Sequence, residues 1–463
     1  MRKHPYSNRT RKRTTRGKRA ACPTPLAHAG ASAPTGFMPA WQALLHGFVP
    51  SIRKRRGCHP RVPLTELLAA LTFHFMNGAG TLAQHFFQLF NEPFADSSWS
   101  DRRARLPWEV FTDLMRRALR PRATRRQRGS FWRQWRLIAI DGTQFSLTNT
   151  PQIKTQMTKA KSRRGRAAFA KLWSVVLLEI GLHNPLAAAI GRRGQSEWEL
   201  ARGLLTQLPK QSLLLADRLY GCAAFVAEAM AACQRVGSHF LIRVRSNLKV
   251  KTLRRYKDGS RLIRVGVHQK GNPGRIVQWL EVREIRAQIG RKGFRSQTVR
   301  LWTSLLDWKD APAKELTQLY TQRWEHELYY REIKRQLRKS DLLQSHTVET
   351  AAQEIAAIIL ASALVATERA RAATGQMPVL RISFVKVLEL LQPLWLTLET
   401  CDDLLTEKQK NQMTKRFYQL MGQCVTQPKR SRSCPRAVRQ PVTSWPRLRR
   451  NESIEAPVEI RIL

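Results

Sequence analysis

The feature that most constrains the fold is an alternation of short apolar runs with amphipathic segments between residues 136 and 246. Runs such as RLIAID (136–141) and SLLLAD (212–217) are typical of buried strands. Segments 196–208 and 222–233 have helical spacing instead. In chain order the region reads strand-strand-strand-helix-strand-helix-strand. This order predicts an α/β fold in which helices pack on a mixed sheet.

The regions on either side of this alternation predict further elements. Between residues 40 and 120, helical patterns occur at 64–76, 81–90 and 100–119, with Asn77-Gly78-Ala79-Gly80 between the first two. That arrangement fits a helix-turn-helix DNA reader or, more frequently, an ordinary helical hairpin. Dense turn signals predict a β-rich insertion at 248–306. The last predicted helices cover about 312–338, 347–373 and 383–396.

The chain is strongly basic, with 81 Lys and Arg against 33 Asp and Glu among 463 residues and a formal charge of +48. A polyanion, most commonly nucleic acid, is therefore the expected partner. The acid-free clusters at 116–136 and 154–171 border folded segments, and they are either binding surfaces or solvated basic faces. Two others lie in the predicted flexible tails, 1–36 and about 426–463. The four clusters are residues 1–20, 116–136, 154–171 and 429–450.

Several classes of protein are disfavoured. The longest apolar run, 355–366, is too short to span a bilayer and predicts a buried helix, and no signal-peptide apolar segment follows the basic N-terminus. We therefore expect no membrane association. The seven scattered cysteines lack C-x-x-C spacing, which suits the reducing cytosol and argues against a zinc ribbon. The sequence contains neither an H-E-x-x-H pair nor a P-loop motif.

Two aspartates end predicted strands. Asp141 closes RLIAID and Asp217 closes SLLLAD. Either residue alone is most simply an aspartate that caps a turn or a helix. Together, at neighbouring strand ends of one sheet, they are suited to share a divalent metal, because Mg²⁺ prefers carboxylates, waters and substrate phosphates as ligands.

A third acidic ligand is suggested by the predicted helix at 312–338. At about 100° per residue, one narrow face collects Tyr320, Arg323, Glu327 and Lys334, with Arg331 and Arg338 on the same side. Glu325 and Glu332 point roughly the other way. The alternative is a solvated helix in which Glu327 pairs with Arg331.

The spacing Tyr320-x₂-Arg323-x₃-Glu327-x₆-Lys334 resembles the signature of DDE transposases of the bacterial insertion-sequence-4 family. AIDGT at 139–143 and LADRLYG at 215–221 resemble the two aspartate motifs of that family, in the family's order. LWTSLLD at 301–307 is similar to the strand that leads out of its insertion. The resemblance covers about residues 40–400.

The resemblance implies an RNase-H-like mixed-sheet catalytic core with a β-rich insertion, plus a helical N-terminal domain. Asp141, Asp217 and Glu327 would bind Mg²⁺, with Mn²⁺ as a possible substitute. One metal would activate water and later the freed 3′-OH, while the other stabilises the leaving oxygen. The implied segments are a basic tail at 1–36, a DNA-binding domain at 37–130, the core at 131–247 and 307–400, the insertion at 248–306, and a C-terminal helix and basic tail at 401–463.

The same resemblance implies that double-stranded DNA, as transposon ends and target, is the partner. The residues expected to contact DNA are Tyr320, Arg323, Lys334, Arg218 and Arg331. Arg218 is alternatively a partner for a carboxylate. Trp279 and Trp302 are either base-stacking or, more commonly, core side chains. A homodimer that bridges two ends is expected, acting on the nucleoid in the cytoplasm.

Two other functions are compatible with the sequence. A non-catalytic basic nucleic-acid-binding protein would share the charge, but Asp141 and Asp217 would then repel phosphate without benefit. An RNase-H-like nuclease would hydrolyse DNA or RNA without joining strands. The resemblance favours the transposase over both.

Overall fold

The computed structural model describes residues 35–426, except 51, 53–60, 78–79, 163–164, 291–295, 339 and 374–376, together with residues 459–463. The predicted tails, 1–36 and 426–463, therefore lie almost entirely outside the described residues. So do Gly78 and Ala79 of the predicted glycine turn.

Helices make up the N-terminal region, as the spacing of apolar residues predicts. The prediction of one helix over 100–119 was wrong, because Pro107 separates two helices. Proline cannot donate a backbone hydrogen bond, and Pro107, with φ −67° and ψ 142°, stands just before the second helix. The helices are α1 (Phe37–Leu45), α2 (Leu64–His74), α3 (Leu82–Phe90), α4 (Asp96–Ala104) and α5 (Trp108–Ala118).

The central region contains the predicted alternation of strands and helices. The predicted order of seven elements between residues 136 and 246 is confirmed. Short additional elements precede this series and interrupt it between its first two strands. The elements are β1 (Phe131–Trp132), β2 (Trp135–Ser146), α6 (Pro151–Gln156), β3 (Lys161–Ser162), β4 (Gly165–Arg166), β5 (Lys171–Glu179), β6 (Asn184–Ile190), α7 (Glu197–Leu204), β7 (Ser212–Ala216), α8 (Ala223–Arg235) and β8 (His239–Arg243).

The predicted β-rich insertion is confirmed as four strands, β9 (Lys251–Arg255), β10 (Arg261–Gln269), β11 (Asn272–Gly290) and β12 (Gln297–Thr303). Its packing depends on buried arginines. Arg283 is fully buried and donates to the Ala311 carbonyl at 2.6 Å and to Asp258. Asp258 also accepts from the Ala313 amide at 2.9 Å. The insertion is thereby tied to the start of the helix that follows it.

The segment after the insertion is one helical stretch, residues 313–337, which we term the Glu helix. It comprises α9 (Ala313–Tyr320), a 3₁₀ turn (Thr321–Trp324), α10 (Glu325–Glu332) and a π-helical turn (Ile333–Leu337). Then follow α11 (Val348–Ala372), α12 (Phe384–Thr400) and α13 (Glu407–Gln423). A final strand, β13 (Glu459–Ile462), pairs antiparallel with residues 287–290 of β11 and was not predicted from the sequence.

One sheet runs through the protein in the order β6-β5-β2-β7-β8-β12-β11-β10-β9. The pairs β2–β7 and β7–β8 are parallel, whereas β2–β5 and β5–β6 are antiparallel. This core of three antiparallel and two further parallel strands, with helices on both faces, is RNase-H-like. The insertion continues the sheet, because β12 pairs antiparallel with β8.

Alternate residues of β2 face two separate apolar layers. Leu137 and Ala139 belong to the layer of the Glu helix and α11, while Ile138 and Ile140 belong to the layer of α7 and α8. Helix α11 is long and apolar enough to cross a membrane by length and composition, but 89% of its most apolar window is buried inside the protein. It is therefore the central core helix, as predicted for residues 355–366.

A buried ion network fixes the Glu helix to the tip of the β5–β6 hairpin. His183, in a left-handed conformation at φ 54°, contacts Glu332 at 2.6 Å and Glu325 at 3.1 Å. Arg369 of α11 lies 3.2 Å from Glu332. Burial alone would lower the pKa of His183, but the two carboxylates raise it above its usual value. The imidazolium therefore stabilises the folded protein.

Replacing His183 by Asn is expected to lower the free energy of unfolding by about 3 kcal/mol, because Glu332 loses a buried partner. Asn tolerates the left-handed conformation, so backbone strain contributes little. Since the folded-state pKa is raised, the full difference should appear below about pH 6.5 and shrink as the pH rises through the folded-state pKa. Urea denaturation of both proteins across this range measures it. A difference that grows with pH would contradict the assignment.

Candidate active site

The two predicted aspartates lie side by side where the parallel ladder of β2 and β7 ends. The last paired residues are Ile140 and Ala216, so Asp141 and Asp217 come next on strands about 4.8 Å apart. The sequence predicted that Asp141 ends its strand, and this prediction was wrong. Strand β2 continues to Ser146 along β5. What ends at Asp141 is the pairing with β7.

Each aspartate also makes the local contact that a turn-capping role predicts. Asp217 accepts from the Leu219 amide at 2.7 Å, and Asp141 accepts from the Gly142 amide at 2.9 Å. These bonds use one oxygen of each carboxylate, and the second oxygen of Asp141 lies 3.4 Å from a guanidinium nitrogen of Arg323. Burial, followed by repulsion from Asp217, raises the pKa of Asp141 to about 7. The pair is thus short of positive charge.

The Glu helix is docked over this sheet edge by side chains that donate to backbone carbonyls. The Tyr330 hydroxyl donates to the carbonyl oxygen of Asp141 itself at 2.7 Å. Three further bonds join Lys334 Nζ to Gln144 O at 2.8 Å, Tyr320 Oη to Ala216 O at 3.3 Å and His326 Nε2 to Val176 O at 3.0 Å. Because the four acceptors lie on β2, β5 and β7, these bonds fix the helix against three strands at once.

Arg323 connects the third predicted carboxylate to the first. Its guanidinium lies 3.4 Å from Asp141 Oδ2 and donates to Glu327 Oε1 at 2.8 Å. Glu327 therefore pairs with Arg323, and the alternative pair with Arg331 does not form. The Glu327 side chain is 37% exposed, so it can change rotamer. The structure confirms that Glu325 and Glu332 point away, since both hold His183.

The donor set fits a hard divalent cation, although the side chains do not enclose one as they stand. Within the described residues, no three His, Cys, Asp or Glu side chains are close enough to hold a metal ion. Asp141 and Asp217 supply adjacent, mutually repelling carboxylates, the ligand type that Mg²⁺ prefers. The guanidinium of Arg323 separates Glu327 from Asp141. Glu327 would have to leave Arg323 in order to join the pair.

The predicted DNA-contacting residues differ in accessibility. Arg218 and Arg331 are exposed, and no ion pair of either occurs in the described part of the chain. Tyr320 is buried, and burial raises its pKa to about 12. Lys334 is half-buried over the ring of Phe145, and burial with neighbouring bases lowers its pKa to about 8.

The two tryptophans of the insertion region have different environments. Trp302 is fully buried and donates to Glu284 at 3.0 Å, so it is a core residue. Trp279 of β11 is 57% exposed and remains accessible to a base. The prediction that a core role is more common is thus confirmed for Trp302 only.

Sequence reasoning missed two residues that contact Asp141 or its neighbour Gly142. Tyr330 follows Arg323 by seven positions and shares its helical face, so the same wheel contained a signal for it. Glu197, the first residue of α7, packs against Gly142 and accepts from the Tyr220 hydroxyl at 2.7 Å. No spacing in the sequence points to Glu197, because its neighbours become neighbours only in the folded sheet.

Comparison with known proteins agrees with the resemblance found in the sequence. The family model described as "Transposase DDE domain" matches residues 132–364. This range contains Asp141, Asp217 and Glu327, together with the insertion and most of α11.

Two relatives and one solved structure are similar to parts of the chain. The transposase InsG for insertion sequence element IS4 of Escherichia coli (strain K12) is 27% identical over 322 residues, 68% of this chain and 70% of that protein. The putative transposase InsZ of the same strain is 31% identical over 108 residues, 23% of this chain and 36% of that protein. A piggyBac transposase synaptic complex with hairpin DNA aligns with a TM-score of 0.42 at 9% identity, covering 83% of this chain and 85% of that one. The match to the family model over half of the chain, together with the signature on the Glu helix, shows that the protein belongs to the DDE transposases of the insertion-sequence-4 family.

Proposed function

We propose that this protein is a transposase that cuts the ends of an insertion sequence and joins them to target DNA. The joining reaction is a transesterification at a phosphodiester, and the cutting reaction is its hydrolysis. The observation that carries the proposal is the pair of carboxylates at the end of the β2–β7 ladder, over which the Glu helix is docked. Family membership supports the same reaction class.

Asp141, Asp217 and Glu327 are the residues proposed to hold divalent cations, Mg²⁺ with Mn²⁺ as a substitute. Bound divalent cations supply Lewis acidity at the attacking and leaving oxygens of a phosphodiester. The two aspartates need little movement, because adjacent strands already place them together. Glu327 is 37% exposed and can turn away from Arg323 toward them.

Arg323 has two roles in this proposal. In the free protein it neutralises Asp141 and Glu327, which lie 3.4 Å and 2.8 Å from its nitrogens. When DNA binds, its planar guanidinium is suited to a two-point contact with a phosphate, which would release Glu327. Substrate binding and completion of the site would therefore be coupled.

DNA reaches this edge of the sheet across basic surface. The proposed phosphate contacts are exposed Arg218 and Arg331, together with Lys334, whose Nζ donates to Gln144 on the strand of Asp141. Buried Tyr320 positions the helix. The cluster at 154–171 follows β2 directly and presents exposed bases at Lys154, Lys161, Arg166 and Lys171. We further propose that two copies bridge two DNA ends and that the protein acts on the nucleoid in the cytoplasm.

Asp141→Asn, Asp217→Asn and Glu327→Gln are each expected to reduce end cleavage and strand transfer by ~10³-fold or more, because each removes a charge from the cation site. DNA binding should persist, since no basic residue is lost. Cleavage of end-containing duplex DNA with Mg²⁺ or Mn²⁺ measures the effect.

Glu325→Gln is the matched control for these variants. It lies on the same helix two residues from Glu327, but faces His183. It should keep activity within about twofold, because Gln still accepts a hydrogen bond from His183. Equal loss of activity in Glu325→Gln and Glu327→Gln would count against a catalytic role for Glu327.

Lys334 gives a pH-dependent prediction. Because the pKa of Lys334 is about 8, its side chain loses its charge in the free protein as the pH rises through that value. Above this pH, Lys334 must take up a proton before it can pair with a phosphate. Affinity for end DNA should fall by roughly fivefold, equivalent to about 1 kcal/mol, between about pH 7 and pH 9. Lys334→Arg should remove this component, because Arg stays charged. Fluorescence anisotropy at fixed ionic strength measures both proteins, and an identical pH slope would refute the phosphate contact.

A further inference from the structure

Glu197 is a buried carboxylate whose position is not explained by its own helix. It begins α7, where an acid is favourable beside the helix N-terminus. That need is already met by Glu199, which is exposed and completes a capping box with Ser196. Glu197 instead turns inward and is only 9% exposed.

The partners of Glu197 are unusually weak for a buried acid. Among the described residues its one hydrogen-bond donor is the Tyr220 hydroxyl, which is not cationic. Burying a carboxylate without a cation or several donors is costly. The chain has 81 Lys and Arg for 33 acids, so a cation for this position would be easy to provide.

Other buried glutamates in the described residues show the usual arrangement. Glu179, Glu284 and Glu368 each pair with at least one arginine. Glu354 accepts from two backbone amides and the Ser345 hydroxyl. In the described part of the chain Glu197 has one donor, fewer than any of these, and no ion pair.

The side chain of Glu197 points to the residue that follows Asp141. A Cβ atom added at Gly142 would lie 2.5 Å from Glu197 Cδ, so a side chain at 142 would exclude this carboxylate. The Gly142 amide donates to Asp141 at 2.9 Å. Asp217 acts on both carboxylates, since its charge adds to the effect of burial in raising their pKa values. Glu197 therefore lies against the residue that follows Asp141, and glycine in AIDGT is what admits it there.

We propose that Glu197 is a fourth carboxylate of the active site, a positioning residue whose negative charge strengthens the hold of Asp141 and Asp217 on the divalent cation. This inference rests on the proposed cation site of those two aspartates. Glu197 acts across Gly142 from the α7 side of the sheet, while Glu327 acts from the Glu-helix side. The unpaired charge of Glu197 is then balanced when the cation binds.

Titration of the full-length protein with Mn²⁺, followed by the electron paramagnetic resonance signal of free Mn²⁺, tests the proposal without relying on activity. Glu197→Gln keeps the shape of the side chain and its acceptor for Tyr220, but removes the charge. We expect it to weaken Mn²⁺ binding about tenfold and, in the metal-free protein, to raise Tm by removing an unpaired buried charge. Glu197→Asp keeps the charge and should lose no more than about threefold.

The order of these two variants separates charge from packing. A purely structural role predicts the reverse, with the isosteric Gln tolerated and the shorter Asp damaging. Wild-type Mn²⁺ affinity in Glu197→Gln, or a Gln variant that does not fold, would overturn the proposal. Asp141→Asn is the reference: if it abolishes Mn²⁺ binding while Glu197→Gln does not weaken it, only the role of Glu197 fails. If Asp141→Asn also binds Mn²⁺ normally, the proposed cation site fails.

Discussion

Repulsion between Asp141 and Asp217 is the constraint on which the site depends. The parallel register of β2 and β7 places these carboxylates on adjacent strands at the end of their ladder, where Asp141 is largely buried and therefore poorly screened by water. Such a pair is unfavourable unless positive charge is supplied. In the free protein Arg323 supplies part of it, from 3.4 Å. The need for more is the physical reason to propose a divalent cation there.

The rest of the core holds the Glu helix where it can act on this pair. Four of its side chains donate to carbonyls of β2, β5 and β7, and His183 and Arg369 clamp Glu332 behind it. The helix is not uniform, since a 3₁₀ turn at Thr321–Trp324 precedes Glu327 and a π-helical turn at Ile333–Leu337 contains Lys334. The docking bonds hold the backbone in place, which leaves the Glu327 side chain free to exchange one partner for another.

Much of this arrangement follows from local sequence, and the remainder depends on long-range contacts. Continuous apolar runs such as 212–217 identified the buried strands, and the wheel around Arg323 identified the face of the Glu helix that meets the sheet. The wheel did not predict that Arg323 itself would separate Glu327 from Asp141, because that depends on rotamers. The continuation of β2 past Asp141 and the strand β13 depend on partners far away in the chain. The position of Glu197 could not be predicted from the sequence for the same reason.

We propose that Asp141 and Asp217, joined by Glu327, hold divalent cations. Anomalous diffraction from crystals of the full chain grown with end DNA and Mn²⁺ tests it most directly. We expect an anomalous peak about 2.2 Å from oxygens of both aspartates, with Glu327 turned away from Arg323. A saturated crystal with no peak between Asp141 and Asp217, or with its peak bound by other residues, would contradict it.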